Sequence, residues 1–459
     1  MKSSKAQIRR KFHRIPDLDF EPAGRLTSFG GLVVFMALFA RLDLKARVRR
    51  CFAHRGDARI FAPATVFLLL VVHVLLGFRR LRSLDCYRGD PLVERILGVD
   101  HLPDVATVSR CLKVSDDASV DRVRELVRSG VLNRLSEERF NTITLDFDGS
   151  VQSTKGHIEG TAVGFNKVKK GARSYYPLFC TIPQVGQFLD MLHRRGNIHD
   201  SNGAPTFMLA CCRRVRAILP KARMEARADS AFFSDDVVTT LHKQAVEFSL
   251  SVPFQRFAKL KQMVEGRHRW RTLDERWSYF ERSWKPDVWD DTYRFVFLRQ
   301  RVKKQRKGPL QLDLFEPKDY DYDYKVIVTN KTCPVRALLE FHNGRGSQEK
   351  IFGEGKQHAA LGVILARRRN ANRLFTLAGM LAHNLTREMQ MITTRPQRAT
   401  LPRRPARWQF LSLGTIRDKI IRRPARITRP QNRLKLTIAA ESSVRNDIEQ
   451  HVEALVEAA

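Results

Sequence analysis

Four acidic residues stand where chemistry can use them. Thr142 to Ser150 reads Thr-Ile-Thr-Leu-Asp-Phe-Asp-Gly-Ser. Its first half is β-branched and apolar, the composition of a buried strand. A period of two puts Asp146 and Asp148 on one face and turns Leu145 and Phe147 the other way, into a core. A buried, unpaired carboxylate costs on the order of several kcal/mol or gives up its charge. A divalent cation supplies the compensation, and an acidic strand ending in Gly-Ser suits a metal-dependent phosphoryl-transfer site. The same residues also read as two solvated aspartates at a strand end leading into a turn.

The other two acids come later in the chain. Asp229 closes the strand-like run Arg223 to Ala228. Glu349 belongs to the set His342, Arg345, Glu349 and Lys356, whose offsets of three, seven and fourteen share one face of an unbroken helix. A carboxylate flanked by Arg and Lys can hold a metal and clamp phosphate oxygens beside it. The plainer alternative is a solvated, charged helix. Gly344, Gly346, Gly353 and Gly355 weaken that helix, each by about 1 kcal/mol relative to Ala.

Stepping outward, residues 141–252 must supply the frame. Strands are expected at Thr142–Asp148, His157–Phe165 and Tyr175–Ile182. A helix follows over Pro205–Leu219, with Met208, Leu209, Cys212, Val215 and Ile218 as its apolar stripe. Then come a strand to Ala228, a helix over Asp236–Gln244 and a strand over Val246–Val252. Three strands, helix, strand, helix, strand, with acids on the first and fourth strands, is the layout of a ribonuclease-H-like domain. The fold class is α/β: a mixed sheet flanked by helices.

Residues 253–335 interrupt this frame with a strand-rich insertion, expected to lie over the active-site side. It holds Trp270, Trp277, Trp284 and Trp289, three of them seven apart, a spacing that reads as a buried stripe. A basic loop (Arg299, Arg301, Lys303, Lys304, Arg306, Lys307) and an acidic-aromatic run, Asp319 to Tyr324, follow. Residues 336–392 return to the catalytic frame. Residues 1–140 read as a helical DNA-binding or assembly domain, with Val105–Leu112 a short basic helix suited to a helix-turn-helix head. Ile60 to Phe78 is nearly unbroken apolar sequence, diluted by Pro63, Thr65, His73 and Gly77, and a buried helix fits it better than a membrane span. Residues 393–459 form an arginine-rich arm, broken by prolines, and a short amphipathic helix; the arm reads as a binder of the nucleic-acid backbone and not of base edges, with a solvated basic tail as the alternative.

Composition narrows the partner. Among 459 residues, 82 Lys plus Arg against 48 Asp plus Glu leave a formal charge of +34, which favours a polyanion, nucleic acid foremost. Seven cysteines with no CxxC or Cys/His spacing exclude a zinc site or disulfide frame and point to reduced, intracellular thiols. The basic N-terminus is not followed by a short apolar core with a cleavage site, so no secretory signal is expected.

Together, Asp148, Asp229 and Glu349, with Arg345 and Lys356 spaced around the glutamate, resemble a DDE transposase of bacterial insertion sequences. The resemblance is narrower still to the group with the signature Tyr-x2-Arg-x3-Glu-x6-Lys and a ribonuclease-H-like domain split by a β-rich insertion. Asp-Gly-Ser at 148–150 and Ala-Asp-Ser-Ala-Phe at 228–232 match its first two blocks. The likeness covers roughly residues 140 to 390. It implies catalytic and metal-binding roles for Asp148, Asp229 and Glu349, with Mg²⁺ as the metal and Mn²⁺ a substitute. It implies DNA contacts for His342, Arg345 and Lys356, and a homodimer on double-stranded transposon ends and target DNA. A cytoplasmic, nucleoid-associated bacterial protein with no membrane attachment is expected. The signature tyrosine is His342 here, a departure at a position implied to touch DNA near the cleaved end. Asp146 stands as rival to Asp148 for first ligand. Two other readings use the same residues: a metal-dependent nuclease of this fold without strand transfer, and a catalytically inactive DNA-binding protein derived from a transposase.

Overall fold

The structure is a computed structural model and describes residues 23–56, 61–138, 140–164, 169–199, 202–302, 322–397 and 405–457. The basic cluster Lys303, Lys304, Arg306 and Lys307, the Asp319 start of the acidic-aromatic run, and Arg398, Arg403 and Arg404 lie outside the described residues.

One mixed sheet organises the chain. Strands β1 (Thr142–Gly149), β2 (Leu178–Ile182), β3 (Gln187–Leu192), β4 (Arg223–Ala228) and β5 (Glu247–Val252) lie in the order β3-β2-β1-β4-β5. The first three are antiparallel neighbours, whereas β4 and β5 run parallel to β1. That combination is the ribonuclease-H-like order expected from the acids and the element pattern. The parallel strands need crossovers, and helices supply them. Helix α1 spans Pro63–Leu75 and α2 spans Asp117–Glu138; α3 (Ala204–Ile218) leads into β4 and α4 (Asp235–Lys243) leads into β5. Helices α5 (Val335–Asn343), α6 (Gly346–His358) and α7 (Arg369–Thr393) follow the insertion.

The two faces of the sheet divide as the period-two pattern requires. Ile143, Leu145 and Phe147 pack with Met208, Cys212, Val237 and Leu241 of α3 and α4. On the other face, Phe179 and Phe188 meet Phe352 of α6 edge-on, with ring centroids 5.5 Å apart in both pairs.

Several expectations change. Among the described residues of the expected second strand His157–Phe165, only Ala162–Val163 pairs, and it does so in a small side sheet with Arg173–Tyr175 and Gln152–Thr154. The third main strand is β3, which the Pro183–Gly186 turn folds back on β2, with Gly186 at φ +65°. The inserted strands do not lie over the active-site side. Strands β6 (Arg271–Thr272), β7 (Trp277–Trp284), β8 (Tyr293–Arg301) and β9 (Tyr322–Thr329) extend the same sheet to nine strands, through β9 paired antiparallel with β5. Without β9, the outer edge of β5 would present unpaired backbone groups. Nor do the tryptophans make one stripe. Seven is an odd number, so Trp277 and Trp284 on β7 point to opposite faces and join different clusters.

Helix α1 is buried at every position but Thr65, packed in one core with α2 and α7. No described helix is long and apolar enough to cross a membrane. Part of the arginine-rich C-terminal region packs into the core. Leu413, Ile416, Ile420 and Ile421 enter the same core as α1. Ala425–Thr428 pairs with Leu26–Thr27. Arg417 is buried and donates to the carbonyls of Leu75 at 2.9 Å, Val74 at 3.0 Å and His358 at 2.9 Å. A guanidinium with five donors can satisfy several helix-end carbonyls at once, a role that composition alone does not distinguish from DNA contact.

Candidate active site

Strands β1 and β4 run parallel with Asp146 opposite Arg227. The residues are committed to each other: Arg227 Nε lies 2.6 Å from one Asp146 oxygen and Nη2 lies 2.7 Å from the other. Both side chains are fully buried. Burial holds the Asp146 carboxyl above its ordinary value, with the bidentate guanidinium opposing the shift. Arg227 Nη1 also donates to the Phe341 carbonyl at 2.9 Å, tying α5 to the sheet. Asp146 is therefore engaged in a buried ion pair with Arg227, and Asp148 has no such partner among the described residues.

The register ends at Asp146 and Arg227; two residues further along each chain stand Asp148 and Asp229, close enough for the Asp229 charge to act on Asp148. Here a carboxylate faces a carboxylate. Asp148 Oδ1 accepts from the Gly149 amide at 2.8 Å, and Asp229 Oδ1 accepts from the Ala231 amide at 3.0 Å, capping the turn Ser230–Phe232. Burial, then the neighbouring Asp229 charge, push the Asp148 pKa up to about 7 against the opposing influence of Arg345, the Gly149 amide and Lys356. Arg345 and Lys356 are thus close enough to act on Asp148, as their spacing suggested.

Glu349 is not drawn into this pair. Its side chain is 70% exposed, and its nearest cation is Arg345, 3.8 Å away. Among the described residues, no three His, Cys, Asp or Glu side chains lie close enough together to hold a metal ion.

His342 departs most from its expected place. It is buried, with Nδ1 hydrogen-bonded to Ser249 Oγ and Nε2 3.0 Å from Ser251 Oγ. Burial, then the charges of Lys325, Arg345 and Arg227, hold it well below the ordinary imidazole value, so it is neutral at physiological pH. The expected common face with Glu349 fails at the junction of α5 and α6. There the Arg345, Ser347 and Gln348 amides bond to the carbonyls of His342, Gly344 and Arg345, three residues back. A tighter turn of three residues shifts the phase and swings His342 into the sheet.

Three residues near the site escaped the sequence reading. Arg227 had a signal: Arg-Ala-Asp at 227–229 repeats the spacing of Asp-Phe-Asp at 146–148, so parallel pairing matches arginine to the first acid. Glu354 pins α6 by accepting from Arg387 of α7 and from the Leu413 amide at 2.8 Å. Burial would raise its carboxyl, but His383 and Arg387 hold it below its ordinary value. Lys325 of β9 sits by the α5–α6 junction and donates to Asn343 Oδ1 at 3.1 Å. Burial and Arg345 lower its pKa to about 8, with Glu349 opposing.

The family model described as "Transposase DDE domain group 1" matches residues 17–459. Among solved structures, the chain is similar to the piggyBac transposase synaptic complex with hairpin DNA, at 10% identity and a TM-score of 0.40, covering 77% of this chain and 74% of that one. It is also similar to the Mos1 transposase paired-end complex with the left transposon end, at 10% identity and a TM-score of 0.18, covering 42% and 59% respectively. No curated protein matches it.

Proposed function

Since the chain belongs to the family of group 1 DDE transposases and is thus a DNA transposase, we propose that Asp148, Asp229 and Glu349 make its cutting and joining centre. The observation that supports this is the pairing of Asp148 with Asp229, two neighbouring carboxylates with no ion-pair partner among the described residues. Hard oxygen donors that repel each other in a partly buried setting suit Mg²⁺, with Mn²⁺ as its substitute. These two and Glu349 would hold the metal, which supplies an activated water and relieves charge on the leaving 3′ oxygen. Glu349, exposed at the start of α6, would join the pair when DNA is bound.

The chain's own residues then divide the work. The Asp148–Asp229 row marks the reacting position at one end of the sheet. Arg345 and Lys356, whose charges already reach Asp148, neutralise the scissile phosphate and its neighbour. In the first step the water oxygen bonds to phosphorus and the bond to the 3′ oxygen breaks, leaving a free 3′-OH at the transposon end. In the second, that 3′ oxygen bonds to a target phosphorus and displaces the target's own 3′ oxygen. The Arg345, Glu349 and Lys356 spacing supports placement in the Tyr-x2-Arg-x3-Glu-x6-Lys group of bacterial insertion sequences, with His342 in the tyrosine's position but not in an exposed role. Two copies would pair the two ends.

The test is a joining assay. A pre-cleaved duplex from the DNA flanking this reading frame, mixed with target plasmid and Mg²⁺, should give covalently joined product. Nicking without joining would replace this reading with a nuclease of the same fold.

A further inference from the structure

The inserted strands bring one lysine to the catalytic edge of the sheet. Asp146, Arg227, Ser249 and Thr329 form one cross-strand row from β1 through β4 and β5 to β9. One step outward, Ser251 pairs with Ile327, and Asp148 and Asp229 stand two residues beyond Asp146 and Arg227. One step further out on β9 is Lys325, on the same face by its even offset from Ile327. Strands about 4.8 Å apart and a two-residue rise of about 6.8 Å place it roughly 12 Å from Asp229. At one phosphate per about 3.4 Å of helix axis on each strand, that spans three or four base pairs of a duplex whose axis follows the sheet edge.

The surroundings of Lys325 are those of a cation awaiting an anion. Its ammonium has one neutral acceptor, Asn343 Oδ1, and no ion pair among the described residues. Arg345 adds a second positive charge beside it, His342 is neutral, and Glu349 is the acid whose charge reaches it. Lys331, just past the other end of β9, shows what the fold does with a structural lysine. It is buried and paired with both Glu225, at 2.6 Å, and Glu247. Lys325 has no such pairing, although bringing an ammonium this far from water carries a desolvation cost.

We propose that Lys325 binds a DNA phosphate a few nucleotides from the cut, so that the inserted strands set the path of the duplex across the Asp148–Asp229 row. This rests on the transposase reading and adds a contact to it. Because the ligand is a backbone phosphate, the contact is independent of base sequence and forms on any duplex.

The test uses the full chain and a random-sequence duplex. Lys325→Gln should lower the slope of log affinity against log salt by about 0.9, the value of one phosphate contact, and Lys325→Arg should restore it. An unchanged slope for a folded Lys325→Gln variant overturns the proposal. If that variant does not fold, the wild-type chain decides: duplex should shield Lys325 from an amine-acylating reagent read by mass spectrometry. Equal acylation with and without DNA overturns it. Low-salt binding of the wild type to the same duplex reports separately on whether the chain binds DNA at all.

Discussion

Two adjacent rows of one sheet use the same residue type for opposite ends. In the inner row, Asp146 meets Arg227 in a closed bidentate pair, and Ser249 and Thr329 continue the row in full burial. In the outer row, Asp148 lies near Asp229, and among the described residues each carboxylate accepts from a backbone amide. The inner row has satisfied its charge and holds α5 to the sheet. The outer row has stored a repulsion that a cation or a phosphate-bound metal would relieve. In the function proposed above, stability and chemistry are separated by a two-residue step along two parallel strands.

The same substitution should therefore have opposite signs in the two rows. Asp146→Asn leaves Arg227 buried without its counter-charge and should destabilise the protein by about 3–5 kcal/mol, read by denaturant unfolding. Asp148→Asn should stabilise the metal-free protein at pH 8. The folded carboxyl titrates near 7, above an unfolded value of about 3.9, so the folded state holds the extra proton between them. Stability is therefore lost as pH rises from about 4 to about 7, and asparagine escapes that loss, by about 2–4 kcal/mol. The difference should vanish near pH 4. Added Mg²⁺ should raise the unfolding temperature of the wild type and leave that of Asp148→Asn unmoved. Equal signs for the two asparagine variants would dissolve the contrast between the rows.

A smaller effect sharpens the boundary of the site. His342→Ala should cost about 1–3 kcal/mol of stability by orphaning Ser249 and Ser251, while affinity for duplex DNA stays within about twofold. A large loss of DNA affinity with little loss of stability would return His342 to the surface role its sequence position suggested.

These rows also show what could be seen in advance. Asp148 and Asp229 were legible because strand composition and period two are local properties. The role of Asp146 was not, because Arg227 is 81 residues away and only strand register brings them together. The helix carrying Glu349 was legible in its Arg345 and Lys356 spacing. It misled at His342, since offsets assume 3.6 residues per turn and the Gly344–Arg345 junction tightens to three. The C-terminal arginines read as an arm binding the DNA backbone, and charge counts do not reveal intramolecular partners such as the carbonyls around Arg417. The long helix α7 hides its place in the core behind buried polar residues, among them His383, Asn384 and Arg387.

In the proposed function the outer row, completed by Glu349, does the chemistry. The most direct measurement is Mg²⁺-dependent cleavage of a plasmid carrying the DNA that flanks this reading frame. It should compare the wild type with Asp148→Asn, Asp229→Asn and Glu349→Gln under conditions where all four bind that DNA. Each variant should lose at least about 1,000-fold in cleavage rate, about 4 kcal/mol of transition-state stabilisation, with binding preserved. Cleavage near the wild-type rate by Asp148→Asn or Asp229→Asn would contradict the claim.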